Sequence, residues 1–318
     1  MSTYVIRRLL QSVPVLILAS VGVFLLLHMV PGDPALLLAG PDATPEVVAA
    51  VRRDMGLDQP LPVQYARWMQ HALTGDLGKS YISRLPVVQL IRSALPATVE
   101  LAAAALLIAI LLGIPTGILS AVKRQSLPDW VITIANGLSL AVPNFWLGIL
   151  LIIVFALVLG WLPPGGRVDF LSSPGTAWKS LLLPALTLGL HIAATLSRFT
   201  RAAMLEVLHE DYIRTARAKG LSNWGVIMRH AIRNALIPIV TVLGIQFGRL
   251  LGGAVIVESV FAWPGIGRMV LQAVLNRDYL LVQGTLLLLV VAFIFINLIV
   301  DLLYGVLDPR IRLAHGRG

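Results

Sequence analysis

Apolar residues along this chain gather into six long runs, set apart by shorter stretches rich in Gly, Pro and basic side chains. Crossing a bilayer takes about 20 mostly apolar residues, because an α-helix rises about 1.5 Å per residue. Runs at about Leu9–Val30, Ala97–Val122, Val131–Leu159, Leu181–Leu196, Ala235–Val257 and Leu280–Val306 reach or approach that length and predict six transmembrane helices. The fourth is the shortest, and Arg198 and Arg201 at its end can snorkel toward an interface. The first follows Arg7-Arg8, as the apolar part of a secretory signal would. A signal's apolar core spans about 7–15 residues, whereas this run is about twenty and ends in Pro31-Gly32-Asp33-Pro34, so it reads as a retained helix. The fold class expected is an all-α integral membrane protein.

Two stretches between the runs are too long to be connectors. In the first, residues 31–96, Pro45 to about Leu57 predicts a helix with Thr44 as N-cap, and Pro62 to about Leu73 a second. Gly75-Asp76-Leu77-Gly78 predicts a turn. The segment is either a cap over the outer helix ends or a docking face, and its mixed composition favours the cap. The second stretch, about 203–233, predicts an elbow. Helix formers lead into Gly220, a C-terminal residue suited to positive φ, and Ser222 or Asn223 can cap the next helix. The expected organisation is thus a tail and first helix (1–30), an outer insertion (31–96), a five-helix core containing the elbow (97–306) and a tail (307–318). Breakers inside the runs, namely Gly113, Pro115, Gly117, Pro143-Asn144, Gly248, Gly252 and Gly253, predict kinks or close helix packing.

Composition agrees with a membrane protein. Of 318 residues 57% are hydrophobic and 13% charged, against about 45–50% and about 25% in soluble domains. Mean hydropathy is +0.85. With no cysteine, disulfides, thiolate metal sites and cysteine nucleophiles are excluded. The net charge of +9 collects in the tails and short loops if both termini are cytoplasmic, with Lys123, Arg124, Arg198, Arg201, Arg214, Arg217, Lys219, Arg229 and Arg233 all inside. That is the positive-inside pattern, and it needs no nucleic acid.

Candidate chemistry is sparse. Arg249 lies mid-span with Gln246 nearby, and Asn136 and Asn144 lie in the third run. A mid-membrane charge costs at least about 2.5–3.5 kcal/mol, so Arg249 either lines a pathway or is structurally paired. Together these four are the candidate pathway residues. Glu100, near the outer end of its run, is expected to reach water, and Asp301 to sit near the inner end. There is no HExxH and no GxSxG; there is also no GxxxxGK[ST] loop to cradle a nucleotide, and the six histidines are scattered. No enzyme activity and no metal site are expected. The acids are too few for a proton-coupled carrier, which directs attention to the elbow as the point of energy input.

An ordered series of motifs completes the picture. It comprises Tyr4-Val5-Ile6-Arg7-Arg8-Leu9, Pro31-Gly32-Asp33-Pro34, Gly56-Leu57-Asp58-Gln59-Pro60-Leu61 and Gly75-Asp76-Leu77-Gly78. It continues with Ser83-Arg84-Leu85-Pro86-Val87, Asp211-Tyr212-Ile213-Arg214-Thr215-Ala216-Arg217-Ala218-Lys219-Gly220, Arg233-Asn234-Ala235-Leu236-Ile237-Pro238, Phe261-Ala262-Trp263-Pro264-Gly265-Ile266-Gly267-Arg268 and Asp308-Pro309-Arg310-Ile311-Arg312. Over nearly its whole length the chain resembles a membrane permease subunit of bacterial ATP-binding-cassette (ABC) importers of the dipeptide, oligopeptide and nickel type. It looks like the first of the two permeases, with Leu38-Ala39-Gly40-Pro41 and Gln246-Phe247-Gly248 similar to the glutathione branch.

The resemblance implies a type I ABC importer permease with six transmembrane helices and a small periplasmic insertion after the first. It implies that Asp211, Arg214, Thr215, Ala216, Arg217, Lys219, Gly220 and Leu221 form a coupling loop that docks on an ATPase, with Ala216 and Gly220 allowing close approach. The general pattern E-A-A-x-x-x-G, nine residues, I-x-L-P is matched fully only at Ala216 and Gly220, with Arg214-Thr215 in place of E-A. Gly32, Asp33 and Pro34 form the extracytoplasmic motif. Implied partners are a second permease, two ABC ATPases that carry ATP and Mg, an extracytoplasmic binding protein and the bilayer of the bacterial inner membrane. No cofactor is implied on this chain. A stand-alone carrier or channel is the main alternative, import of a nickel complex by the same machinery a further one, and a non-transporting scaffold the last.

Overall fold

A computed structural model describes residues 2–29, 33–40 and 42–307. Its regular elements, among the described residues, are all helical: α1 (Ser2–Met29), α2 (Pro34–Ala39), α3 (Pro45–Asp54), α4 (Leu61–Leu73), α5 (Val87–Val122), α6 (Leu127–Ala141), α7 (Asn144–Leu151) running into π-helical Ile152–Val158, α8 (Pro174–Leu208), α9 (Asp211–Ala218), α10 (Asn223–Val226) running into π-helical Ile227–Ala231, α11 (Ile232–Val260), α12 (Ile266–Leu275) and α13 (Tyr279–Leu307). Three helices are long and apolar enough to span a membrane unbroken, at Val87–Val122, Pro174–Leu208 and Tyr279–Ile299. The bent pairs Leu127–Ala141 with Asn144–Val158 and Asn223–Leu236 with Pro238–Gly248 raise this to five if each is one span. Helix α1 runs over Ser2–Met29, and its apolar stretch Leu10–Leu25 is the part whose side chains are described. Six runs are thus seen as three to five spans among the described residues.

The break in the third run has a local cause. Pro143 disfavours helical backbone at the residue before it, and Val142 is extended at φ −82°, ψ 124°. The chain then re-enters helix at 104° to its former direction, a far sharper turn than a kink. The fourth run is longer than its hydropathy indicates, because α8 covers 35 residues. Its polar interior positions are compatible with burial: Ser180 Oγ donates to the carbonyl of Ala177 (2.9 Å) and Thr187 Oγ1 to that of Leu183 (2.8 Å). Helix α12 was not foreseen. It follows a turn in which Ala262 takes φ +51°.

The chain forms two compact units, Met1–Pro96 with Arg268–Ile294, and Ala97–Gly267 with Phe295–Gly318. In the second, α5 and α8 pack backbone to backbone. A Cβ on Gly113 would lie 2.8 Å from the Ala193 carbonyl oxygen, one on Gly117 2.6 Å from that of Ser197, and one on Gly189 2.9 Å from that of Ala105. These glycines permit close approach and do not break α5. Leu101, Leu183, Val257, Phe261 and Trp263 form the adjoining core. The Phe261–Arg268 motif belongs to this core: Trp263 Nε1 donates to the Ala97 carbonyl (2.7 Å), and the fully buried Glu258 accepts from Thr98 Oγ1 (2.7 Å).

Two ion pairs correct the expected surroundings of their members. Glu100 is not simply hydrated, since Arg167 donates to both its oxygens at 2.8 and 2.6 Å. Those hydrogen bonds raise the pKa of the Arg167 guanidinium. Arg201 does not merely snorkel. Its Nε and Nη2 each lie 2.9 Å from a carboxylate oxygen of Asp129, which also accepts from Ser120 Oγ and from the Gln125 amide (2.9 Å). This buried carboxylate fastens the short 123–126 turn to both α6 and α8. Asp129→Ala is expected to lower stability by roughly 2 kcal/mol, below the full cost of a broken buried pair because Arg201 is 33% exposed. Thermal unfolding of the detergent-solubilised chain reads the change, and an unshifted transition contradicts it.

In the first unit, α4 packs on α1. Ser20 Oγ lies 2.8 Å from Tyr65 Oη, and Phe24 meets the rings of Tyr65 and Trp68 at centroid distances of 5.5 and 6.2 Å. Asp278 accepts from Ser80 Oγ (2.5 Å) and from the Tyr81 amide (3.1 Å), fastening the 79–86 turn to the start of α13. The predicted helices of the insertion are present as α3 and α4, each begun by a proline in its first turn. Thr44 occupies the N-cap position without a capping hydrogen bond.

Candidate functional site

The elbow is built as the sequence predicts. Helix α9 ends in a Schellman motif: Gly220 N donates to Arg217 O (2.9 Å), Leu221 N to Ala216 O (3.4 Å), and Gly220 takes φ +82°. Ser222 then caps α10, accepting from Gly225 N at 3.2 Å. Asn234 Nδ2 donates to Tyr212 Oη (2.7 Å), bracing α9 against the start of α11.

Burial divides the elbow into two faces. Ile213 and Ala216 enter a core with Met204, Val226, Ala231 and Ile239. Ala216 therefore packs within the chain. Asp211, Arg214, Thr215, Arg217, Lys219, Gly220 and Leu221 face outward, together with Trp224, 66% exposed. The exposed face is basic and carries two large apolar side chains, Leu221 and Trp224, at the tip of a rigid turn.

The polar residues of the spans do not form one cluster. Asn136 Nδ2 donates to Ser197 Oγ (3.0 Å), which also accepts from Thr116 Oγ1 (3.0 Å), so Asn136 joins α5, α6 and α8. Gln246 is buried. Asn144 opens α7 directly after the sharp bend, and its Oδ1 is buried without a hydrogen-bond partner. No hydrogen bond links Asn136, Asn144 and Gln246 among the described residues. The side chains of Arg249 and Asp301, and all of Gly32, lie outside the described residues.

A third feature escaped the sequence reading: a cavity of about 660 Å³ in the first unit. Asp33 and Pro34 line it, Asp33 capping α2 through a 3.0 Å bond from Ala35 N and pairing with Arg52. Trp68 and Tyr279 also line it, and Trp68 Nε1 and Tyr279 Oη are both buried without partners. Such atoms cost about 1–3 kcal/mol each. Tyr81, on the same lining, has its hydroxyl pKa pushed up by burial and then by the charge of Asp278, so it stays protonated. Only long-range proximity creates this cavity, and no local motif announces it.

Comparison with known proteins decides what kind of chain carries these features. The description "Binding-protein-dependent transport system inner membrane component" matches residues 113–313, and its N-terminal companion matches residues 1–102. The chain belongs to this family of ABC importer permeases. The permease is 48% identical over 314 residues to the glutathione transport system permease protein GsiC of Escherichia coli strain K12, covering 98% of this chain and 99% of that one. Identity to the protein of the same name from Salmonella paratyphi A is 46% over 317 residues, with the same coverage. Among solved structures it is similar to the inward-facing MetNI methionine ABC transporter, with a TM-score of 0.56 and 17% identity over 70% of this chain and 97% of that one. That likeness shows a shared type I importer fold. The elbow, the broken third run and α8 all lie within residues 113–313, the part that matches the family core, and α5 enters it from Gly113 onward.

Proposed function

We propose that this permease is one of two membrane subunits of an ATP-driven importer of glutathione or short peptides, with both termini cytoplasmic. The observation that carries this reading is the full-length identity to glutathione permeases. The elbow supports a coupling role: its basic outer face, with Arg214, Arg217 and Lys219, suits acidic groups on a cytoplasmic ATPase, and Leu221 and Trp224 suit an apolar cleft. ATP and Mg belong to the two ATPase partners. A binding protein delivers cargo at the 33–86 side. Closure of the ATPases draws the elbows together, and the rigid turn passes that displacement to α8 and α11, which share its core. Asn144 and Gln246, with Arg249, are the pathway candidates, Asn144 because its buried oxygen stands unpaired at the bend. In proteoliposomes holding the assembled complex, uptake of labelled glutathione is expected only with ATP and a loaded binding protein. Uptake driven by a proton or sodium gradient without ATP overturns the reading.

A further inference from the structure

We propose that the 123–126 turn and the adjoining face of α6 form a docking site for an anionic phospholipid. Helix α6 is polar toward α8 and apolar away from it. On the polar side Asp129 pairs with Arg201, Asn136 Nδ2 donates to Ser197 Oγ (3.0 Å) and Ser139 Oγ donates to the Leu190 carbonyl (3.2 Å). On the other side Leu127, Trp130, Val131, Ile134 and Leu138 recur at the spacing of one helix face. All five are exposed, Leu127 at 76% and Trp130 at 62%. Such a face suits acyl chains.

The end of that face is basic. Lys123 and Arg124 are exposed on the turn that leads into α6, and neither makes an ion pair or a side-chain hydrogen bond among the described residues. The turn itself is fixed. Gln125 N donates to Asp129 (2.9 Å), Ser126 Oγ donates to the Lys123 carbonyl, and Ser120 and Arg201 hold Asp129 in place. Nearby acids do not neutralise the two cations. On α5, α6 and α8 the acids are Glu100, paired with Arg167, Asp129, paired with Arg201, and Glu206, which lies beyond Arg201 toward the end of α8. Two cations on a fixed turn at the end of an apolar face match a molecule that joins a phosphate head to acyl chains. A soluble phosphate leaves the apolar face unused, and a lipid without net charge leaves the cations unmatched.

The site requires neither a particular cargo nor a particular orientation, since both leaflets of a nanodisc carry the same lipids. The test places the full-length permease in nanodiscs of unbrominated phosphatidylcholine and titrates in phosphatidylglycerol or phosphatidylcholine with brominated acyl chains. Bromine quenches indole fluorescence on contact, and the difference between the wild-type chain and Trp130→Phe isolates Trp130. Each basic residue near an anionic surface is worth about a fivefold preference, so brominated phosphatidylglycerol should quench Trp130 at a mole fraction lower by roughly tenfold or more. Lys123→Gln combined with Arg124→Gln should bring the two lipids to equal effect. Arg53→Gln, which removes a charge from α3 in the first unit, should leave the preference intact. Soluble glycerol 3-phosphate should not reverse the quenching. Equal quenching by both lipids in the wild-type chain, a preference retained by the double variant, an equal loss in Arg53→Gln, or reversal by glycerol phosphate would overturn the proposal. So would shielding of Trp130 from both lipids once the companion permease is assembled, which would make the face a protein interface.

Discussion

Gly220→Val should reduce uptake to background while the permease still inserts and assembles. The Schellman turn holds residue 220 at φ +82°, where a β-branched side chain meets the backbone and costs about 1–2 kcal/mol or more. Ile213 and Ala216 anchor α9 to the core independently of that turn, so the strain is relieved by displacing the tip and not by unfolding the chain. Leu221 and Trp224 are then misaligned with their docking cleft. Gly220→Asn distinguishes this from a simple size effect, because asparagine tolerates the left-handed region and should restore most uptake. The readouts are binding-protein-stimulated ATP hydrolysis and labelled-glutathione uptake in proteoliposomes, with membrane insertion as control. Normal transport by the valine variant would show that the turn does not couple ATP use to movement.

Gly117→Leu is the second large effect, and it should act on folding. Its Cβ would sit 2.6 Å from both the Ser197 carbonyl oxygen and Thr200 Cβ, and backbone cannot yield as a flexible side-chain tip can. The α5–α8 pair must separate, at a cost of roughly 3 kcal/mol or more. Separation also disturbs the Thr116–Ser197–Asn136 hydrogen bonds. Gly137→Ala is the matched control: nothing lies within 4 Å of its Cβ position, and alanine favours helix, so stability should hold or rise slightly. Size-exclusion chromatography of the solubilised variants, followed by thermal unfolding, separates the two. A well-folded Gly117→Leu protein with an unshifted transition would contradict the close packing.

How much of this was legible in the sequence depends on the range of the interaction. The elbow is local physics, and both of its punctuation marks, Gly220 and Ser222, have the predicted geometry. The break at Val142–Pro143 was visible for the same reason, although its 104° magnitude was not. Hydropathy located α5, α8 and α13 but misjudged the length of α8, because the helix continues past the apolar run through Lys179 at one end and Arg198, Arg201 and Glu206 at the other. It also passed over α12, a ten-residue helix too short to register as a span. Charges were the least legible feature. Asp129 and Arg201 are 72 positions apart, Glu100 and Arg167 are 67 apart, and nothing local pairs them.

Functional assignment divides along the same line. Exposed residues of the elbow follow from helix phase, but phase alone did not reveal that Ala216 points into the core. The cavity needed residues as distant as Asp33, Trp68 and Tyr279 to converge; Asp33-Pro34, Gly56-Leu57, Leu61 and Asp76-Leu77-Gly78 belong to motifs visible in the sequence, whereas Trp68 and Tyr279 belong to none.

Reconstitution of the purified chain, alone and with its companion subunits, tests the central claim most directly. Labelled glutathione should enter proteoliposomes only when the second permease, both ATPases, ATP and the loaded binding protein are all present, and the chain alone should give the flux of empty liposomes. Glutathione uptake by the solitary chain would show that it carries its own driving machinery, and the permease account would fail.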